Sequence, residues 1–106
     1  MDNTVEHQKL VKKCLLRLTE LGFLVWSNNT GAIKSASGRF QRYGLIGSSD
    51  ILGCSPDGIF VAIEIKTGKA VQNKNQKKFE MAVEKRHGIY MVVRDISDLD
   101  VFLEQR

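Results

Sequence analysis

Apolar positions repeat at helical spacing near the start of the chain. Leu10, Val11, Cys14, Leu15, Leu18 and Leu21 fall on one stripe of a 3.6-residue period. Asn3 followed three residues later by Glu6 fits an N-cap with a capping box, and Gly22 is a natural stop, so the pattern predicts a helix over 3–21. The period then changes. Phe23–Trp26 is a short apolar run that reads as a strand, and 27–49 is rich in Gly, Ser and Asn and reads as a long loop or irregular hairpin. Asp50–Cys54 reads as a second strand. Ser55-Pro56-Asp57-Gly58 follows with type I turn chemistry, and Ile59–Lys66 is the strongest strand in the chain. Residues 72–87 predict a second helix ending at Gly88, Ile89–Val93 a fourth strand, and 97–105 a closing helix capped by Ser97. The order αβββαβα predicts an α/β (α+β) fold, with a central mixed sheet flanked by helices.

With 106 residues this order suits one domain spanning 1–106, and the 42% hydrophobic and 26% charged fractions are those of a globular chain. No apolar run approaches the length of a membrane span, and the first residues lack the basic and apolar regions of a signal peptide. Cys14 and Cys54 stand alone, which argues against a disulfide scaffold or zinc ribbon and for a reducing, cytoplasmic setting. The net charge of +4 is uninformative until it is mapped. Between Lys66 and Arg86 there are seven basic and two acidic residues, whereas 95–106 holds four acids and one base. Lys34, Arg39 and Arg42 add cations to the Gly/Ser-rich stretch.

Alternation along Ile59–Lys66 puts Ile59, Val61, Ile63 and Ile65 on one face and Phe60, Ala62, Glu64 and Lys66 on the other. A hairpin centred near Asp57 brings Asp50 opposite the region around Glu64. Two carboxylates there repel each other unless a cation lies between them. Mg²⁺ or Mn²⁺ suits such hard oxygen ligands, with the Ile65 carbonyl as a third ligand and Lys66 placed to orient an attacking water. Glu-x-Lys on a strand is by itself more often a solvated face. Here the opposite face is wholly β-branched, and Phe60 and Ala62 begin the Glu64 side as apolar. Glu6 lies one turn before Leu10 and extends that stripe, either toward the same site or as a plain capping glutamate. On the second helix Gln72, Gln76, Phe79 and Val83 share one side, and Lys74, Lys77, Lys78 and Lys85 share the other. Gln76 then faces inward, as a site residue or as a satisfied amide at the core edge. Cys14 and Trp26 read as core, and His7 and His87 as surface residues.

The spacing Gly47-Ser-Ser-Asp50, then Glu64-Ile-Lys66-Thr-Gly68, then Gln76 in a following helix resembles the PD-(D/E)XK nuclease superfamily. More narrowly it is similar to the VRR-NUC (virus-type replication-repair nuclease) group, in particular its small stand-alone phage or prophage members. Ser49 stands where the superfamily name has Pro. The resemblance implies metal-dependent phosphodiester hydrolysis in DNA. Asp50, Glu64, the Ile65 carbonyl and Glu6 would hold Mg²⁺ or Mn²⁺, Lys66 would position the water, and Gln76 would brace the site. It also implies a homodimer that cuts branched DNA such as four-way (Holliday) junctions. Lys34, Arg39, Arg42, Lys69, Lys74, Lys77 and Lys78 would contact phosphates, and Tyr43 and Phe40 would stack on splayed bases. For the helix lysines a solvated face remains the alternative. Two other functions stay open: a non-catalytic nucleic-acid-binding module on a nuclease fold, and a nuclease for linear duplex DNA.

Overall fold

The structure, a computed structural model, describes residues 4–105. Its elements are α1 (Val5–Glu20), β1 (Leu24–Ser27), β2 (Gly31–Lys34), β3 (Phe40–Tyr43), β4 (Ile51–Cys54), β5 (Phe60–Ile65), α2 (Lys74–Lys85), β6 (Ile89–Val93) and α3 (Ile96–Glu104). A four-stranded sheet runs in the order β1-β4-β5-β6, antiparallel except for the parallel pair β5 and β6. Parallel neighbours cannot be joined by a tight turn, and α2 is the crossover that links them. The fold is α+β, a central mixed sheet flanked by helices. No described helix is long and apolar enough to cross a membrane.

The core follows from two periodicities meeting. Leu10, Cys14 and Leu18 of α1 and Leu99 of α3 pack on Ile51, Val61, Ile63, Ile65 and Val93 of the sheet. Fully burying a Leu or Ile side chain contributes roughly 1.5–3 kcal/mol. The Arg17 guanidinium donates to the Asp100 carboxylate and ties α1 to α3 at the surface. On the other face α2 covers the sheet, with Phe79 edge-on to Tyr90 at 6.4 Å between ring centroids. β5 therefore has helices on both sides. Val61 to Ile65 are all buried, as is Lys66, so the Glu64 side of the strand is not a solvated face. A strand with neighbours on both edges and helices on both faces has no solvent side.

Several boundaries and placements differ from those the sequence suggests. Asn3 lies outside the described residues, and Thr4 caps α1 by accepting from the His7 backbone N–H. Asp95, not Ser97, caps α3, accepting from the Ser97 N–H, with Asp98 closing the capping box. Trp26 is 51% exposed rather than core, because β1 is a short edge strand. Phe60 is also exposed, at the open start of β5. The stretch 27–49 contains a regular hairpin in which Ala32 pairs with Arg42 and Lys34 with Phe40. Every residue of its two strands is exposed.

One glycine sets how closely β1 approaches. A Cβ on Gly53 would lie 2.0 Å from the Leu24 carbonyl oxygen, inside any tolerable contact. Gly53→Ala is therefore expected to push β1 off β4 and cost about 1–3 kcal/mol of stability. The measurement is urea unfolding followed by circular dichroism, and an unchanged midpoint would contradict it.

Candidate active site

β5 ends in Glu64 and Ile65 with Lys66 just beyond, and β4 begins at Ile51, directly after Asp50. Ile51 pairs with Ile63, so the next step of the antiparallel register sets Asp50 against Glu64. The loop that delivers Asp50 is pinned on two sides. The Asn28 side-chain amide donates to Ser48 Oγ at 2.7 Å and to the Ser49 carbonyl at 3.0 Å. Gly47 has φ +85°, and a Cβ there would come within 2.4 Å of the Asn75 carbonyl oxygen. Only glycine lets this loop rest against the first turn of α2.

The polar side chains are joined through Gln76. Its Oε1 accepts from Lys66 Nζ at 2.9 Å and from the Asn73 backbone N–H at 2.9 Å. Its Nε2 donates to Glu64 Oε2 at 3.0 Å. The Asn73 side chain in turn accepts from the Gln76 N–H, completing a capping box. One amide thus caps α2 and fixes both a carboxylate and an ammonium. Lys66 Nζ lies 3.5 Å from Glu64 Oε2, with both residues buried. Behind this cluster, Gln72 Nε2 donates to Glu80 Oε1 and Tyr90 Oη at 3.1 and 3.0 Å, holding the segment that leads into α2.

Asp50 Oδ2 accepts from the Ile65 backbone N–H at 2.8 Å and lies 3.3 Å from His7 Nε2. Burial first, and the neighbouring Asp50 charge second, push the Glu64 carboxyl up to about 8 against the opposing pull of Lys66. Two carboxyl groups share a hydrogen bond here and compete to ionise. The pocket they line has a volume of about 160 Å³, with Gly47, Ser48, Asn73 and Asn75 on its rim. At about 30 Å³ per water, that is room for a cation and part of its hydration shell.

A comparison of folds identifies a solved structure described as a VRR_NUC domain. It matches with probability 1.00, a TM-score of 0.69 and 22% sequence identity, over 95% of this chain and 97% of that chain. The chain has the fold of a VRR-NUC domain. No family model and no curated protein matches it by sequence.

On this VRR-NUC fold, Asp50, Glu64, Ile65, Lys66 and Gln76 are brought together in one pocket. Glu6 is not with them. It is exposed and lines a separate cleft, and the α1 residue in the pocket is His7, which is only 4% exposed. The reason is helical phase. Stepping back four residues from Leu10 drifts about 40° off the stripe, whereas His7, Leu10, Cys14 and Leu18 follow i, i+3, i+7, i+11 and stay centred. That spacing is the signal in the sequence that identifies His7, which the surface reading passes over. The His7 Nδ1 atom is buried with no hydrogen-bond partner among the described residues. Lys34, Arg39, Arg42 and Tyr43 lie on the exposed hairpin, and Lys69, Lys74, Lys77 and Lys78 are exposed beside or along α2.

The donor set fits a hard divalent cation. Two facing carboxyl groups, one of them kept protonated by the other and by burial, are what such an ion would relieve. No three His, Cys, Asp or Glu side chains among the described residues form a ready-made cluster, so further ligands would be backbone, water or substrate oxygens.

Because the Glu64 pKa is raised in the fold, protonated Glu64 stabilises the metal-free protein fully below its ordinary value near 4.5. That contribution is lost as pH rises to about 8. In EDTA, the melting temperature of the wild type relative to Glu64→Gln is expected to fall across this interval. Parallel curves for the two proteins would refute the assignment.

Proposed function

We propose that residues 1–106 form one nuclease domain, a divalent-metal-dependent DNA endonuclease working in the cytoplasm. Its substrate is branched DNA such as four-way junctions, and its active form is a homodimer. The observation that carries this reading is the Asp50–Glu64–Lys66–Gln76 constellation at the end of β5, on a fold shared with a VRR_NUC domain.

Asp50, Glu64 and the Ile65 carbonyl would hold Mg²⁺ or Mn²⁺, which would supply Lewis acidity and lower the pKa of a bound water. Asp50 is presented in one orientation because Ile65 N–H and His7 both hold Oδ2. Lys66 keeps its ammonium where charge develops on the phosphate oxygens during attack by water, and it orients that water. Gln76 stops Lys66 from collapsing fully onto Glu64 by accepting one of its N–H bonds. The hairpin presents Lys34, Phe40 and Arg42 on one face, since Lys34 pairs with Phe40 and Ala32 with Arg42. Cations with an aromatic between them suit phosphates flanking a splayed base. Its other face carries Ile33 and Tyr43, both exposed. A bare two-stranded ribbon is marginal in water, so a second copy or DNA covering it adds stability. Junction preference would come from pairing two such sites in the dimer.

The test is cleavage of a labelled four-way junction, a flap and a linear duplex with Mg²⁺, Mn²⁺ or EDTA. Wild type is expected to cut the junction with either metal and nothing in EDTA. Asp50→Ala is expected to be inactive, and Lys66→Ala to lose about 10²–10³ in rate. No cleavage with either metal would make the chain a binding module. Equal cutting of all three substrates would remove the junction preference alone, and elution as a monomer in size-exclusion chromatography with light scattering would remove the dimer.

His7 and Gln76 hold the ligands without being counted among them. His7→Leu and Gln76→Leu are each expected to weaken Mn²⁺ binding about 10–100-fold, as loss of groups supporting metal ligands does. Isothermal calorimetry without DNA measures it, and wild-type affinity in either variant would refute that role.

A further inference from the structure

A second cleft lies on the α1 side of the pocket, away from the hairpin and the α2 lysines. It has a volume of about 310 Å³, and its lining includes Lys9, Lys13, Thr67, Gly68 and Arg94. Lys9 and Lys13 are four residues apart on α1 and present one face. Arg94 follows Val93, the last residue of β6, and Val93 pairs with Ile65 in the parallel register. The Lys66 N–H donates to the Val93 carbonyl at 3.0 Å, so Arg94 leaves the sheet beside Lys66. Thr67 and Gly68 are the two residues after Lys66. The cleft therefore begins where the candidate active site ends, outside the carboxyl ends of two parallel strands, where open α/β sheets bind ligands.

Two acids share the cleft, Glu6 and Asp95. Asp95 is occupied: its Oδ2 accepts from the Ser97 N–H at 3.0 Å and from Ser97 Oγ at 2.7 Å, capping α3. Glu6 is the exposed one. Three cations from two separate elements thus converge beside the end of β5 on a cleft that also holds two carboxylates, leaving a net +1. Asp95 stays ionised, its carboxyl held below the usual range by the Ser97 bonds and by Lys13.

We infer that the cleft formed by Lys9, Lys13 and Arg94 binds a backbone phosphate of the nucleic-acid strand, next to the one held at Asp50, Glu64 and Lys66. The inference rests on the nuclease reading and extends it. The strand crosses the site from the hairpin and α2 side to the α1 side, gripped on both flanks, so the phosphodiester to be cut is held between two anchored neighbours. Glu6, which the sequence suggests as a metal ligand, here opposes the phosphate and weakens the grip.

The experiment is fluorescence anisotropy with a labelled duplex and a four-way junction, in EDTA, over a salt series, using the full chain. Lys9→Ala/Lys13→Ala is compared with Lys85→Ala/Arg86→Ala, which removes the same charge at the far end of α2. Each lost phosphate contact lowers the slope of log affinity against log salt by about 0.9. The cleft double variant is expected to lose nearly two units of slope and on the order of tenfold in affinity. Arg94→Ala should lose about one unit, and the charge-matched control little. Lys9→Arg/Lys13→Arg should restore binding, and Glu6→Gln should tighten it. Equal losses in cleft and control variants, or no loss in the cleft variants while wild type binds, would overturn the cleft and leave the nuclease reading intact. A wild type that binds neither DNA at any salt would overturn the cleft, and the nuclease reading stands or falls separately on the cleavage assay with Mg²⁺ or Mn²⁺.

Discussion

Two carboxyl groups, Asp50 and Glu64, sit against each other at the end of a sheet whose core positions Ile51, Val61, Ile63, Ile65 and Val93 are apolar. The fold tolerates them because each is held by donors: Ile65 N–H and His7 for Asp50, Gln76 and Lys66 for Glu64. Even so, burial and mutual repulsion push Glu64 up to about 8. A buried acid pair of this kind is costly to keep ionised without a cation, and stability alone does not account for it. Much of the surrounding architecture serves to bring these two groups together and brace them.

The bracing is economical in residues. Gln76 caps the backbone of α2 through its pairing with Asn73 and, with the same amide, holds Lys66 and Glu64. Helix start and site geometry are thus coupled. Whatever frays the first turn of α2 also releases the lysine. Gly47 adds to this by letting the Asp50 loop lie directly against Asn75. On the opposite side His7 joins the helix core stripe to the carboxylate, so α1 contributes to the site through a residue whose position is fixed by the packing of Leu10, Cys14 and Leu18.

The hairpin stands apart from this rigidity. Its strands pair with each other and bury none of their residues, leaving Ile33, Phe40 and Tyr43 in solvent. Apolar exposure of this kind, with cations interleaved, marks a surface meant to be covered.

The strongest local signals were legible from residues alone. The α1 stripe, the Ser-Pro-Asp-Gly turn, the β-branched run of β5 and the inward phase of Gln76 all rest on short-range periodicity and turn chemistry, which the backbone obeys wherever it lies. The same logic paired Asp50 with Glu64 through one tight turn. What only the packing of distant elements decided is of another kind. Trp26 is exposed because β1 ends the sheet, and both faces of β5 are dry because α2 crosses over the second one. His7 rather than Glu6 meets Asp50 because a phase error of about 40° per step grows once a stripe is extended beyond its apolar anchors. The hairpin in 27–49 has no buried face and so leaves little periodicity to read. Lys9, Lys13 and Arg94 look like scattered surface charge until parallel pairing of β5 and β6 sets Arg94 beside Lys66. Periodicity records which side of an element is apolar, and only the assembled sheet and helices establish what that side meets.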